Sequence, residues 1–315
     1  MNLKLMSKIM SYKVEPLPNS VADLGEAPHW DIATQNLYYV DIVNGKLLRY
    51  DFNENKVYHC KIENVSVVGF VVPVEGEPNK FVVGAERDIS IVEWDGVSET
   101  CEVVKVLAQV EQGDEIYDGN RFNDGKCDPR GRLYAGTMRY FGDHFEFRRG
   151  KFYKYNGGSM EVIKDNIGIS NGLAWNEDTN KMYYIDTADF NVKEYDYDFT
   201  LGELKNPRVV IDLKSYEGRD KLLPDGMTID AKGYLYIATF NGHSILQVNP
   251  KTGKIETEIK LPVKQITSAA FGGPNLDILY VTTANIFGQT QPAGTTYKIT
   301  GLGVKGTPMT KFKLN

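Results

Sequence analysis

Four polar residues stand out by type and by spacing. Each opens a short apolar run, and a second strand-like segment follows at a nearly constant distance. Glu26 lies 15 residues before Asp41, Asn123 lies 13 before Gly136, Asn171 lies 15 before Asp186, and Asp225 lies 13 before Ala238. Two carboxylates and two carboxamides at equivalent positions form a set of hard oxygen donors, the ligands that suit calcium, magnesium or manganese. Zinc usually takes His or Cys, although carboxylates serve it too. Four protein donors leave a calcium shell unfilled, so water or substrate completes it, as in a catalytic site. Asn123-Asp-Gly, Asn171-Gly and Pro224-Asp-Gly are each, taken alone, common turn sequences. Glu26, before Ala27 and Pro28, is no turn former, and the shared register of all four favours a site over four independent turns.

A repeat must position these residues. The segments Leu37-Tyr-Tyr-Val-Asp41, Phe81-Val-Val-Gly84, Leu133-Tyr-Ala-Gly136, Met182-Tyr-Tyr-Ile-Asp186, Leu235-Tyr-Ile-Ala238 and Leu279-Tyr-Val-Thr282 end at intervals of 43, 52, 50, 52 and 44 residues. Periods of about 40–50 residues are the signature of four-stranded propeller blades. The predicted fold is therefore all-β, a six-bladed β-propeller with a metal site in the central tunnel. The first strand of each blade lines the tunnel, so equivalent positions at its entrance face one another. The two remaining copies carry Val68 and Ser268, which makes the site asymmetric. Asp128-Pro-Arg-Gly131 and Asp230-Ala-Lys-Gly233 read as hairpin turns. The strand-like ends Tyr12–Pro16 and Thr296–Thr300 predict that one terminus closes the ring against the other. A β-sandwich has similar strand spacing, but six evenly spaced two-strand units are hard to place in one.

The bulk composition agrees. The 315 residues are 42% hydrophobic and 25% charged, with 19 tyrosines and a net charge of −6. All-β domains of this length are common, and a mild acidic excess argues against nucleic acid or anionic membrane as partners. Residues 1–11 are expected to form a flexible arm, with Met10 an alternative start, and residues 12–315 the propeller. No apolar run has the length of a secretory core or of a membrane span. Cys60, Cys101 and Cys127 match no zinc spacing and predict a reduced thiol set in a cytoplasmic protein. No glycine-rich phosphate loop opens a helix, so no organic cofactor is expected.

The ordered motifs Gly25-Glu-Ala-Pro-His-Trp30, Asn120-Arg-Phe-Asn-Asp-Gly-Lys126, Ala135-Gly-Thr-Met138, Ile169-Ser-Asn-Gly-Leu-Ala-Trp175, Tyr183-Tyr-Ile-Asp-Thr187, Pro224-Asp-Gly-Met227 and Gly301-Leu-Gly-Val-Lys-Gly306 resemble the regucalcin, or senescence-marker protein/gluconolactonase, family. The stretch from Ile266 to Ala284 is most similar to its insect-type members. The resemblance spans nearly the whole chain from Tyr12. It implies a six-bladed propeller with one divalent cation, calcium first and zinc, manganese or magnesium as alternatives, and hydrolysis of sugar lactones; a monomer acting on a small-molecule lactone is expected. It places the metal ligands on Glu26, Asn171 and Asp225, the substrate contacts on Arg121 and Asn123, and the proton-handling role on Asp225. Two positions depart from the family pattern. Tyr140 falls where vertebrate-type members place an acidic substrate contact, with Asp143 or Glu146 as substitutes. Ala27 follows Glu26 where Gly or Ser is usual.

The chemistry this implies is metal-assisted addition of water to a lactone carbonyl, with Arg121 contacting the developing charge. A coordinated Asp225 is a weak base, so a bound water shares its task. Strand alternation predicts that one of Asp124 and Lys126 turns away from the tunnel. His29 is expected to be a packed or hydrogen-bonded histidine, His243 a turn residue, and His144 part of a loop over the tunnel mouth. Trp30 and Trp175 read as core between blades, and Cys127 as a buried thiol without a catalytic base. The rival functions are a non-catalytic calcium-binding regulator, a hydrolase of another ester or of an organophosphate, and a protein-binding scaffold. The last has no need of four convergent oxygen donors.

Overall fold

The computed structural model describes residues 11–139, 148–215 and 222–314. Residues 1–10, which make up nearly all of the expected arm, lie outside them, as do Tyr140, Asp143, His144 and Glu146. Strand β1 (Lys13–Pro16) precedes a run of antiparallel meanders. The first contains β2 (Gly25–Asp31), β3 (Asn36–Asp41), β4 (Lys46–Asp51) and β5 (Lys56–Ile62). The second contains β6 (Val68–Pro73), β7 (Lys80–Ala85), β8 (Asp88–Glu93) and β9 (Thr100–Gln109). Next come β10 (Asn120–Cys127), β11 (Leu133–Arg139), β12 (Gly150–Tyr155) and β13 (Met160–Ile167), then β14 (Ser170–Asn176), β15 (Lys181–Asp186), β16 (Asn191–Asp198) and β17 (Glu203–Asp212). The chain ends with β18 (Leu223–Ile229), β19 (Leu235–Phe240), β20 (Ser244–Asn249), β21 (Lys254–Lys260), and β22 (Ile266–Gly272), β23 (Ile278–Thr283) and β24 (Tyr297–Thr300). Strand β1 pairs with β24, Lys13 opposite Thr300, so the two ends of the chain share one sheet, as the strand-like termini predict.

The architecture is an all-β propeller, but its sheets are not the six separate blades that the repeat predicts. Among the described residues there are four four-stranded sheets and one eight-stranded sheet. The cause lies at an outer edge, where β5 and β9 run parallel and pair through Lys61 with Thr100 and Ile62 with Cys101. That contact joins two antiparallel meanders edge to edge.

The inner strands pack in a closed cycle, β2 on β6, β6 on β10, β10 on β14, β14 on β18, β18 on β22 and β22 on β2. They are buried along most of their length, β2 and β22 throughout, whereas outer β9 and β17 are largely exposed. The recurring Leu-Tyr pair has a packing reason. Trp30 of β2 stacks on Tyr280 of β23 at 5.3 Å. Trp175 of β14 lies 5.5 Å from Tyr134 of β11, and Phe271 of β22 lies 4.9 Å from Tyr236 of β19. In each case an aromatic ring of an inner strand meets the tyrosine of the preceding sheet's second strand, a large apolar burial with favourable ring geometry. The predicted hairpins form at Asp128 and Asp230. Each carboxylate accepts from two backbone N–H groups of its turn, those of Arg130 and Arg132 and those of Lys232 and Tyr234, at 2.9 Å.

The C-terminal segment crosses the far ends of the inner strands. Gly306 bridges to Asp230, Lys311 pairs with Asp31 at 2.8 Å, and the buried Phe312 donates its N–H to Pro73 at 2.9 Å. No helix among the described residues is long and apolar enough to cross a membrane.

Candidate functional site

Each of the four polar positions sits beside an irregularity in its inner strand. Register shifts fall between Glu26 and His29, Phe122 and Gly125, Asn171 and Leu173, and Pro224 and Met227. A β-bulge adds a residue, bends the strand and re-aims a side chain. The four positions lie at one level: Glu26 opposite Val40, Asn171 opposite Ile185, and Asn123 and Asp225 one residue beyond pairs with Thr137 and Thr239. Close approach of the strands needs small residues. A Cβ on Gly172 would sit 2.8 Å from the Asp225 carbonyl, and one on Gly226 would overlap the Ser268 side chain.

The structure brings every predicted site residue into one buried cluster. Relative exposure is 5% for Glu26, 4% for Arg121, 7% for Asn123, 3% for Asn171 and 9% for Asp225. Arg121 donates from Nη1 to Asn123 Oδ1 at 2.7 Å, and Asn123 Nδ2 donates to Asn171 Oδ1 at 3.1 Å. Asn171 Nδ2 donates in turn to Thr187 Oγ1 at 2.7 Å, and Thr187 donates to the Pro224 carbonyl at 2.7 Å. The Asp225 carboxyl lies close enough to Glu26 and Asn171 for both to act on it. One continuous chain of hydrogen bonds therefore links β10, β14 and β18.

Asp124 and Lys126 do not divide as alternation predicts. Asp124 lies within electrostatic reach of both Glu26 and Asp225, and Lys126 faces Asp124 and Glu26. The bulge at Phe122 to Gly125 breaks the two-residue period, so neither side chain is turned away. Lys126 Nζ donates to the Leu173 and Met227 carbonyls, each at 2.9 Å, and so ties three inner strands together.

Burial, followed by the charges of Asp225 and Asp124, pushes the Glu26 carboxyl well above the usual carboxylate range. Burial and then Asp124 do the same to Asp225. Three acids face two bases, Arg121 and Lys126, in a spot where unpaired charge is costly. This donor set fits a divalent cation, which would relieve the repulsion and needs oxygen ligands. Among the described residues no three Asp, Glu, His or Cys side chains close into a ligating group by themselves. The candidate set is mixed: Glu26, Asp225 and the Asn171 carboxamide.

Ala27 adopts φ 49°, the left-handed region that favours glycine, and its N–H donates to Glu26 Oε2 at 2.7 Å. The position where the family has Gly or Ser is thus a strained one for alanine. His29 is buried, with neither ring nitrogen hydrogen-bonded, and burial lowers its pKa to about 3. It is a packed neutral imidazole, one of the two roles expected of it. His243 lies exposed in a turn at φ 55°. Trp30 and Trp175 are buried between sheets, and Cys127 is buried with its thiol pKa raised by desolvation. A cavity of about 850 Å3 lies elsewhere, at the far ends of β14 and β18, lined by residues including Asn176, Glu194, Arg208 and Pro308. It lacks the convergent oxygen donors.

Thr187 is the positioning residue that spacing misses. It begins a 3₁₀ turn after β15 and touches the site from 16 residues beyond Asn171. The motif ending in Thr187 was its only sequence signal.

A family model described as the SMP-30/gluconolactonase/LRE-like region matches residues 24–285. Regucalcin of Xenopus laevis is 37% identical over 96% of this chain and 99% of its own. Regucalcin of Homo sapiens is 34% identical over 94% and 97%. The solved structure of a luciferin-regenerating enzyme superposes with a TM-score of 0.90 at 38% identity, over 96% of this chain and 100% of that one. The chain belongs to the regucalcin/SMP-30 family.

Proposed function

We propose that this chain is a divalent-cation-dependent hydrolase of sugar lactones. Its site lies at the axis of a six-bladed ring in which the eight-stranded sheet counts as two blades. The observation that carries this reading is the meeting of Glu26, Asp124 and Asp225 in one buried spot, beside the hydrogen-bonded series Arg121, Asn123 and Asn171. The gluconolactonase named in the family description supports the substrate class. Glu26, Asn171 and Asp225 hold the ion, with calcium the first choice and zinc, manganese or magnesium as alternatives. Held there, a divalent ion would supply Lewis acidity and would lower the pKa of water.

The chain's own groups do the rest. Asn123 and Arg121 orient the lactone, and the guanidinium sits where negative charge grows on the carbonyl oxygen. Water adds to the carbonyl carbon and the ring C–O bond breaks. Asp225, a weak base while coordinated, shares with a second water the transfer of the attacking water's proton to the departing ring oxygen. Lys126 keeps β10, β14 and β18 at fixed spacing, so that donors on three strands stay aligned.

The test is gluconolactone hydrolysis by the wild type and by Asp225→Ala, each stripped of metal and refilled with calcium, zinc, manganese or magnesium. Metal-dependent turnover that falls by about 10²-fold or more in the variant supports the reading. Retained metal binding with no turnover under any metal overturns it. That result would favour a calcium-binding regulatory role, and the same samples assayed on other esters and organophosphates would cover the remaining alternative.

A further inference from the structure

Two of the three cysteines meet where, among the described residues, two meanders share a sheet. Cys60 lies on β5 and Cys101 on β9, with Ile62 paired opposite Cys101 in the parallel register. Their Sγ atoms stand 2.7 Å apart, within a small side-chain rotation of the roughly 2.05 Å of a disulfide. Cys60 is fully buried and Cys101 is 7% exposed. Cys101, not Cys60, lines a surface cavity of about 350 Å3 at this seam. Glu63, Glu93, Asp95 and Glu102 also line it, and the nearest bases, Lys80 opposite Glu93 and Arg49 within reach of Asp95, stand outside the lining. Asp95 is held near pKa 2 by hydrogen bonds from Ser98, so it is ionised at neutral pH.

We propose that Cys60 and Cys101 form a dithiol modification site, oxidised to an intrachain disulfide by a small cationic disulfide that enters the acidic cavity. Access sets the order of events. The Cys101 thiolate attacks one sulfur of the reagent, the reagent's S–S bond breaks, and one thiol leaves with a proton. Cys60 then loses its proton and attacks Sγ of Cys101, expelling the second reagent thiol. Two protein thiols give up two electrons and the reagent disulfide becomes two thiols, so no other oxidant is needed. The hydrogen bond to Cys101 and burial hold the Cys60 thiol far above its ordinary pKa, so Cys101, and not Cys60, makes the first attack. The product ties β5 to β9 covalently where only two residue pairs now join them.

The test treats the folded full-length chain with cystamine or with glutathione disulfide, followed by intact mass and peptide mapping. Cystamine is expected to yield a chain lighter by two hydrogens, with the Cys60 and Cys101 peptides linked and Cys127 alone open to alkylation after denaturation. Glutathione disulfide, which is anionic, is expected to react about 10-fold or more slowly at low salt, the gap closing as salt screens the carboxylates. Cys60→Ser is expected to stop at a mixed disulfide on Cys101, and Cys101→Ser to leave Cys60 unmodified. Oxidised wild type is expected to melt several degrees higher than reduced, and the Cys60→Ser/Cys101→Ser chain to show no such shift. Three outcomes overturn the proposal: no Cys60–Cys101 link with either reagent, a link that includes Cys127, or glutathione disulfide as the faster reagent.

Discussion

Replacing Thr187 by valine tests whether the site is held by the hydrogen bonds that cross its strands. The change keeps the side chain's volume and removes one oxygen. That oxygen accepts from Asn171 Nδ2 and donates to the Pro224 carbonyl, both at 2.7 Å, and the residue is 3% exposed. Valine leaves an amide N–H short of a partner, and a carbonyl as well. Each orphaned buried group costs about 1–3 kcal/mol, so a loss of about 2–6 kcal/mol is expected in urea unfolding. The second effect concerns the amide's orientation. Thr187 fixes which end of the Asn171 carboxamide is nitrogen, and so which way its oxygen faces. Without it the amide is free to turn its N–H groups to the acids and withdraw the oxygen a cation needs. Loss of such a supporting contact typically weakens metal binding about 10–100-fold, which calorimetric titration of the stripped protein with calcium or manganese reads directly. Thr187→Ser keeps the oxygen and is expected to restore most of both properties. Cation affinity within about twofold of wild type in Thr187→Val, alongside unchanged stability, would refute the reasoning.

Two further outcomes follow from the same geometry. In the metal-free chain the carboxyls of Glu26, Asp124 and Asp225 have raised pKa values. The unfolded chain releases those protons first as pH rises, so metal-free stability is expected to fall as pH rises through and above the ordinary carboxylate range, by about 1.4 kcal/mol per unit of raised pKa, until the folded values are passed. Added divalent cation is expected to flatten that slope; thermal melts across the range, with and without the cation, check it, and a metal-free midpoint rising with pH contradicts it. Gly226→Ala places a methyl against the Ser268 side chain and is expected to cost about 1–3 kcal/mol by overpacking. Adding Ser268→Gly is expected to return part of that cost, and strictly additive single effects in urea unfolding would show that the two strands do not touch there.

The sequence carries most of the site because the site depends on register. Glu26, Asn123, Asn171 and Asp225 are countable from the next strand's end, and the count works because a hairpin fixes which residues lie opposite one another. The Leu-Tyr repeat is legible for a related reason: in three copies the tyrosine covers an aromatic residue of the next inner strand, as Tyr280 covers Trp30. What was hidden breaks periodicity or crosses between sheets. The bulge between Phe122 and Gly125 shifts the alternation by a residue, so a two-residue rule misassigns Asp124 and Lys126.

Thr187 acts across a strand boundary, through a bond to a neighbouring sheet that no spacing within its own repeat encodes. The fused edge of β5 and β9 was hidden for a third reason. It depends on two outer strands lying side by side, and nothing in their residue pattern marks a partner. Cys60 and Cys101 stand 41 residues apart in the chain, and neither one marks the other. Sequence spacing is informative where the backbone fixes the partner; where packing between sheets chooses it, the contact becomes visible only in three dimensions. The axial site rests on the first kind of contact and its support on the second. Substitutions at Glu26 or Asp225 are therefore expected to remove function while leaving the ring intact, whereas substitutions at Thr187, Lys126 or Gly226 are expected to lower stability and function together.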